Sequence, residues 1–270
     1  MDMLHGPLLK KLMLLAVPIV LSSILQQLFN TADLAVAGRF ISSGAMAAVG
    51  SNAPVISLFI SMVVGLSIGA NVLIAAKIGQ KRYLGAKAAL QTSMSLSLLV
   101  GVGMLFLGLL IARPILELMA APVDIIDMAE TYLQIYFLGM PFIMVYNFGS
   151  AVLRSDGDSK RPLYCLLVSS LCNLGMDLLF SIVFSWGIAG IALGTTIANG
   201  ISAGMILYYL QRETGYLHFD IRQFMLHGKS IRQIIAIGGP AGIQGVVFSL
   251  SNVVIQSAIN GFGSDAVAGV

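Results

Sequence analysis

The sequence predicts an all-α, polytopic membrane protein in which a six-helix lobe is followed by a seventh transmembrane helix. Hydrophobic residues make up 57% of the 270 residues, charged residues only 10%, and the mean hydropathy is +0.92. A soluble domain has about 25% charged residues, so lipid is the main solvent of this chain. Backbone amides in a bilayer need partners within the protein. Alternating segments of about ten residues, typical of a barrel, do not occur, which leaves a helix bundle.

Seven segments are long and apolar enough to cross a bilayer as helices of about 20 residues. Basic residues precede the first segment at Lys10 and Lys11, and a basic cluster at 77–87 separates the second from the third. The fifth ends near Trp186, the only tryptophan, at a natural interfacial position. The predicted spans are 12–37, 48–76, 88–112, 131–153, 163–184, 189–210 and 233–260.

The distribution of Lys and Arg predicts the orientation. All of them except Arg39 and Arg113, which is 13 of the 15, fall in segments that face the cytoplasm if the amino terminus is cytoplasmic. This asymmetry predicts a multi-pass protein of the plasma membrane with a cytoplasmic amino terminus. The net charge of +3 follows from this topology and does not indicate nucleic-acid binding. The first apolar run is too long for a signal peptide and lacks a cleavage pattern.

Residues 9–42 and 231–264 align without gaps, which predicts an internal repeat of six spans. Matched positions include Pro18 with Pro240 and Asn30 with Asn252. Units with an even number of spans share one orientation in the membrane. The predicted organisation is a six-helix lobe at 1–211, a cytoplasmic linker at 212–230 and the truncated start of a second lobe at 231–270. We expect roughly five further spans to be needed for activity.

Polar residues line one face of the first span. Ser22, Gln26, Asn30 and Asp33 recur at spacings of three or four residues, as on one face of a helix. A carboxylate at membrane depth is costly unless it is paired, hydrated or protonated. Asp33 therefore favours a functional cavity over a polar seam that only joins helices. Pro18 predicts a bend one turn earlier, which is either structural or a place where the helix changes shape.

The fifth and sixth spans carry further oxygen ligands. Asn173 and Asp177 lie on neighbouring turns of one helical face. Hydroxyl and amide groups extend this set at Ser169, Ser181, Thr195, Thr196, Asn199 and Ser202. Oxygen-only ligation suits Na⁺ or a proton relay and disfavours soft metals. The alternative is that Asp177 satisfies buried groups at a helix end.

The sequence contains no enzymatic constellation that competes with these acids. The histidines fall in predicted cytoplasmic segments, at His5, His218 and His227, and no GxxxxGK[ST] nucleotide loop occurs. Cys165 and Cys172 are interpreted as small apolar residues, with neither a disulfide nor a metal site implied. We therefore expect no cofactor, no bound nucleotide and no enzymatic activity.

Glycine clusters and charged turns connect the spans. GVG at 101–103 and GIAGIALG at 187–194 lie in apolar helices and indicate close helix packing. LRSDGDSKRP at 153–162 is interpreted as a turn before a helix that begins near Pro162, with charges able to bridge to other loops. The acidic stretch at 117–127 is interpreted as a solvated loop in preference to a cation funnel.

Several of these motifs occur together: Pro18, Gln26, Asn30 and Asp33, the turn LRSDGDSKRP, CNLGMD at 172–177 and GIAGIALGTTIAN at 187–199. In combination they resemble the multidrug and toxic compound extrusion (MATE) family of transporters. The resemblance covers the whole chain, as the amino-terminal six-helix lobe plus the first helix of the second lobe. It implies two six-helix lobes that form a V, in a bacterial inner membrane.

The resemblance also implies a function and a site. The family exports small organic cations against an inward flow of H⁺ or Na⁺. Its amino-lobe cation site would fall on Asp33, Asn173, Asp177 and Thr195, which would also be the ligands of Na⁺. The residues expected in or near the substrate cavity are Gln26, Asn30, Tyr132, Thr196 and Asn199. The family's first-helix proline matches Pro18. Implied partners are the organic cations, membrane lipid and the carboxy-terminal lobe.

A lipid-linked saccharide flippase of the same broad superfamily is the second interpretation. Such proteins often line their cavity with Arg and Lys to hold pyrophosphate, whereas the predicted spans contain neither. In the repeat alignment Ile255 stands opposite Asp33. Coupling chemistry is therefore not expected to be duplicated on the seventh span. The sequence leaves open the drug and the choice between H⁺ and Na⁺.

Overall fold

The computed structural model describes residues 8–261, with side chains described from Met13 onward. His5 and the end of the second repeat segment, 262–264, lie outside the described residues, as do the side chains of Lys10 and Lys11. Within the described part the α-helices are α1 (Leu8–Val36), α2 (Ser43–Gly79), α3 (Tyr83–Leu118), α4 (Ile126–Leu138), α5 (Met140–Ser155), α6 (Lys160–Leu178), α7 (Gly187–Arg212) and α8 (Gly228–Asn260). π-helical turns at Ala37–Ile41 and Leu179–Val183 extend α1 and α6.

The predicted membrane spans are confirmed as helices. Among the residues that the structure describes, six helices are individually long and apolar enough to cross a bilayer. The pair α4 and α5, bent by 47°, makes a seventh if it crosses as one span. The helices are longer than the predicted spans, so that basic residues such as Lys77 and Arg113 lie within helix ends. All-helical architecture follows because helices satisfy their own backbone groups in lipid.

The break in the fourth span was not predicted. The Gly139 amide bonds to Tyr136 O at 2.9 Å, one residue short of the α-helical partner, which leaves Ile135 O free. Pro141 then lies in the first turn of α5, where its missing N–H costs least. Thr196 of α7 donates its hydroxyl to Ile135 O at 3.0 Å and satisfies the freed carbonyl. The bend is thus supported by a neighbouring helix.

Helix α2 packs against α3, α4, α5 and α8. Asn52 of α2 donates to Ala129 O of α4 at 2.9 Å, and Asn71 of α2 donates to Ala151 O of α5 at 2.8 Å. The predicted close packing at the first glycine cluster is confirmed for Gly101, which lies against Pro141. The side-chain amides of Asn52 and Asn71 thus join α2 to α4 and α5 at two positions along its length.

Glycines bring α2 and α8 into backbone contact. Gly65 and Gly69 of α2 face Gly238 and Gly242 of α8 so closely that a Cβ added at Gly65 would overlap the backbone of Gly242. The matched residue numbers rise on one helix as they fall on the other, so the helices are antiparallel. Small residues at four-residue spacing permit this approach between membrane helices. We call this contact the glycine seam.

The turn at 153–162 bridges to the linker, as its charges suggested. Asp158 Oδ1 accepts the backbone amide of Lys160 at 3.0 Å and so caps α6. Arg161 pairs with Asp158 at 2.9 Å and also with Glu213, just after α7. Tyr216 donates its hydroxyl to Asp156 at 2.9 Å. Burial, with this bond to Asp156, raises the pKa of Tyr216 to about 12.

The linker between α7 and α8 is held along α3. Gln91, only 2% exposed, donates to the backbone carbonyls of Asp220 and Gln223. Ser95 Oγ accepts Met225 N at 3.1 Å, and Thr92 Oγ1 accepts His227 N at 3.3 Å. Polar side chains of one helix therefore fix the backbone of the segment that leads into α8.

A basic side chain joins α3 to α4 at the opposite end of the bundle. Arg113 contacts Glu117 at 3.1 Å, and both Asp127 and Glu130 at 2.8 Å. The side chains of Glu117 and Asp127 are exposed, as predicted for a solvated loop. Exposed ion pairs of this kind contribute little to the free energy of unfolding. Here they hold the α3–α4 connection in position.

Candidate functional site

The two intramembrane acids lie on different helices, each close to a π-helical turn. Asp33 precedes the turn that ends α1, and Asp177 precedes the turn that ends α6. The two turns contact each other. π-helical turns insert one residue into a helix and are frequent at functional sites. Together they bring the ends of α1 and α6 to the same region.

Asn173 links the two acids. Its Nδ2 donates to Asp33 Oδ1 at 2.8 Å and to Asp177 Oδ2 at 3.0 Å. Asp33 is 7% exposed, Asn173 5% and Asp177 0%. The amide has two hydrogens, so it can serve both carboxylates at once. The structure therefore brings the three predicted residues into one buried polar cluster.

Oxygen atoms in this cluster have unused lone pairs. Among the described residues, Asp177 Oδ1, Asn173 Oδ1 and Ser181 Oγ are buried and have no hydrogen-bond partner. Buried polar atoms are normally satisfied, so each such atom needs an explanation. Carboxylate and amide oxygens fit a hard cation such as Na⁺, and a carboxylate oxygen equally accepts a proton. The chemistry of these oxygen atoms therefore suits H⁺ or Na⁺.

Thr195 and Tyr132 complete the predicted set. Thr195 donates its hydroxyl to Ile191 O at 3.1 Å and is a polar neighbour of Asp33. Tyr132 is 4% exposed and has Asp33, Asp177 and Thr195 as polar neighbours. The four predicted residues of the cation site and Tyr132 are thus in one place.

Tyr136 is a further residue of the site that sequence reasoning missed. It is a neighbour of Asp33, and its ring stacks on that of Tyr132 with centroids 6.3 Å apart. The sequence contained a signal for this residue, because Tyr136 lies four residues after Tyr132 on the same face of a helix.

Gln26 and Asn30 lie outside the cluster. Both are exposed, although Ser22 and Asp33 on the same helix are buried. The buried stripe of α1 runs through Pro18, Ser22 and Asp33, and Gln26 and Asn30 lie at its margin. Their place in a substrate cavity stays a prediction.

The remaining predicted residues have mixed positions. The hydroxyl of Thr196 donates a hydrogen bond to the bend between α4 and α5. Asn199 is half-buried one turn further along α7. Pro18 is buried inside α1, and Ser22 Oγ donates to Pro18 O at 2.8 Å. The structure gives α1 as one continuous helix through Pro18, and the predicted bend stays a prediction.

A family model with the description MatE matches residues 18–179, more than half of the chain. The chain belongs to the MatE family. Similar relatives are the probable multidrug resistance proteins YoeA and YpnP of Bacillus subtilis (strain 168). YoeA is 32% identical over 266 residues, which is 96% of this MatE chain and 58% of the relative. YpnP is 31% identical over 268 residues, 99% of this chain and 60% of the relative.

A solved structure agrees with the fold. The crystal structure of MATE in the straight conformation superimposes with a TM-score of 0.83 at 26% identity, over 96% of this chain and 58% of that chain. This MatE chain is therefore a multi-pass membrane protein of a transporter family and not an enzyme, and its homologues are multidrug transporters. It spans a little over half the length of the relatives that it matches.

Proposed function

We propose that this chain carries the cation-coupling site of a multidrug efflux antiporter that exports organic cations in exchange for H⁺ or Na⁺. The observation that supports this most directly is the buried cluster in which Asn173 joins Asp33 to Asp177. Two negative charges in a bilayer-spanning bundle are costly without compensation. A proton or Na⁺ entering the cluster supplies the positive charge.

Cation binding changes the contacts between helices. Asp33 is on α1 and its bonding partner Asn173 is on α6, so the charge state of Asp33 affects the packing of these two helices. Neutralising the carboxylate weakens its bond to the amide, because bonds to charged groups are about twice as strong as neutral ones. A change of cation occupancy is thereby converted into a change of helix contact.

Antiport follows if the cation and the drug favour different arrangements of the helices. Each ligand then lowers the affinity for the other, and this coupling is reciprocal. Inward movement of the cation down its gradient releases the drug outward. The drug site and the second lobe belong to this proposal, because the chain spans only 58% of YoeA.

The decisive experiment removes each charge while keeping its shape. In a transporter of full family length that contains this sequence, Asp33→Asn and Asp177→Asn are each expected to abolish ethidium efflux driven by a Na⁺ or H⁺ gradient. Both variants are expected to insert in the membrane at wild-type levels. Asp124→Asn, at an exposed acid outside the cluster, makes the same chemical change and is expected to have no effect.

Efflux at the wild-type rate in both cluster variants would show that the acids are structural. The flippase interpretation predicts a different result, namely binding of lipid-linked pyrophosphate that is independent of the ion gradient. A translocation assay with such a lipid therefore separates the two functions.

A further inference from the structure

Two glycines of α7 lie one turn apart on the side that contacts α6. A Cβ added at Gly190 would lie 2.8 Å from Phe180 Cβ. A Cβ added at Gly194 would overlap Asp177 Oδ1 and lie 3.5 Å from both Asp177 Cγ and Asp177 N. Glycine is the residue that permits a close approach of this kind to a backbone. At Gly194 the Asp177 carboxylate therefore packs directly against the backbone of α7.

We propose that Gly194 is a positioning residue for the coupling cation: its missing side chain fixes where Asp177 Oδ1 lies. This inference rests on the proposed function and assigns to Gly194 a role in the same site. The oxygen in contact with Gly194 is the one that has no hydrogen-bond partner. It is therefore the Asp177 oxygen that remains free for a cation.

The rest of the Asp177 side chain is held by a hydrogen bond and by burial. Its second oxygen, Oδ2, accepts from Asn173 at 3.0 Å, and the residue is 0% exposed. A methyl group at position 194 forces the carboxylate to rotate about its χ angles. Rotation moves Oδ1 from its position and pulls Oδ2 from Asn173, so both the cation ligand and the bridge to Asp33 are disturbed.

The residue after Gly194 brings α7 close to the other acid. Thr195 follows Gly194 directly and is a polar neighbour of Asp33. Gly194 therefore contacts one acid, and the residue after it lies beside the other, so this turn of α7 reaches both acids. Residues that orient a cation ligand typically change affinity by about 10- to 100-fold when they are replaced.

Gly194→Ala and Gly204→Ala test the proposal in a transporter of full family length. Both glycines are on α7, and Gly204 has nothing within 4 Å of an added Cβ. Gly194→Ala is expected to raise the coupling-cation concentration for half-maximal ethidium efflux by about 10- to 100-fold. The maximal rate at saturating cation is expected to remain. Gly204→Ala is expected to change neither quantity.

A stability measurement separates contact with Asp177 from a general packing defect. Gly194→Ala alone is expected to lower Tm, because the methyl group overlaps the carboxylate. In an Asp177→Ala background the space is vacant, and the same substitution is expected to raise Tm, because alanine favours the helix over glycine. A change of sign between the two backgrounds supports the proposal.

The results also distinguish this inference from the proposed function. If wild-type efflux depends on the cation and Gly194→Ala leaves that dependence unchanged, or if Tm falls equally in both backgrounds, the role of Gly194 is refuted and antiport stands. If wild-type efflux has no cation dependence, the proposed function itself fails.

Discussion

The side-chain amide of Asn173 lies 2.8 Å from the carboxylate of Asp33, although 140 residues of chain separate them. This bond joins α6 to α1, and it is made inside the bundle, where both residues are nearly inaccessible. In the proposed mechanism, the group that responds to cation binding is therefore also a group that holds two helices together.

Asn173→Ala is expected to lower stability and weaken coupling without abolishing it. The substitution removes two bonds to charged groups, each contributing about 1.5 to 3 kcal/mol, but leaves both acids in place. Thermal unfolding and the Na⁺ or pH dependence of efflux measure the two effects. Gln211→Ala, at an exposed position of α7, is the control, with no expected loss of stability. Complete loss of coupling in Asn173→Ala would assign Asn173 an equal role with the acids.

The predicted orientation can be tested by thiol labelling after Cys165 and Cys172 are replaced. A cysteine at Lys160, which is exposed, is expected to resist impermeant reagents outside intact cells, whereas one at Val123, which is 90% exposed, is expected to react. The neighbouring Ser159 is only 3% exposed, so the exposed Lys160 is used. Labelling of Lys160→Cys from outside would show that the orientation is the opposite of the predicted one.

Gly65→Ala is expected to destabilise the contact between α2 and α8. The added methyl group meets backbone atoms of Gly242, which cannot rotate away as a side chain can. Overpacking of this kind costs about 1 to 3 kcal/mol. Gly50→Ala, on the same helix and with nothing within 4 Å, is expected to be neutral or slightly stabilising. Equal Tm values for the two variants in detergent would contradict the glycine seam.

Gln91→Glu is expected to release the linker from α3. The substitution replaces an amide that donates to two backbone carbonyls with a carboxylate that repels them. The two bonds contribute about 1 to 3 kcal/mol together, so trypsin cleavage after Arg222 should become about tenfold faster. Gln211→Glu, at an exposed position of α7, is the matched control. An unchanged cleavage rate in Gln91→Glu would show that these bonds do not hold the linker.

The site was predictable from the sequence because its acids stand out in apolar spans. Asp33, Asn173 and Asp177 each lie at helical spacing from other polar groups of their own span. The family resemblance, and not the spacing, implied that the two spans meet, and the bonds of Asn173 join them. Gln26 shows the limit of this reasoning. A helical face is wide, and only contact with other helices decides which part of it is buried.

Contacts between distant segments explain the features that were not predicted. The role of Gly194 depends on the rotation of α7 against α6, which no local pattern specifies. The π-helical turns near Asp33 and Asp177 depend on how two helix ends meet. The bend at Gly139 had a local signal in the nearby Pro141, but its support by Thr196 comes from another helix.

The bonds between the linker and α3 hold the first residue of α8 in place. The linker backbone is bonded to α3 up to His227, and α8 begins at Gly228. The start of α8 is therefore a fixed pivot. Because α8 has 33 residues, a rotation of about 10° about that pivot moves its far end, about 50 Å away, by about 9 Å. Asn260 donates to Met119 O at that far end, so among the described side-chain bonds of α8 this one has the longest lever arm.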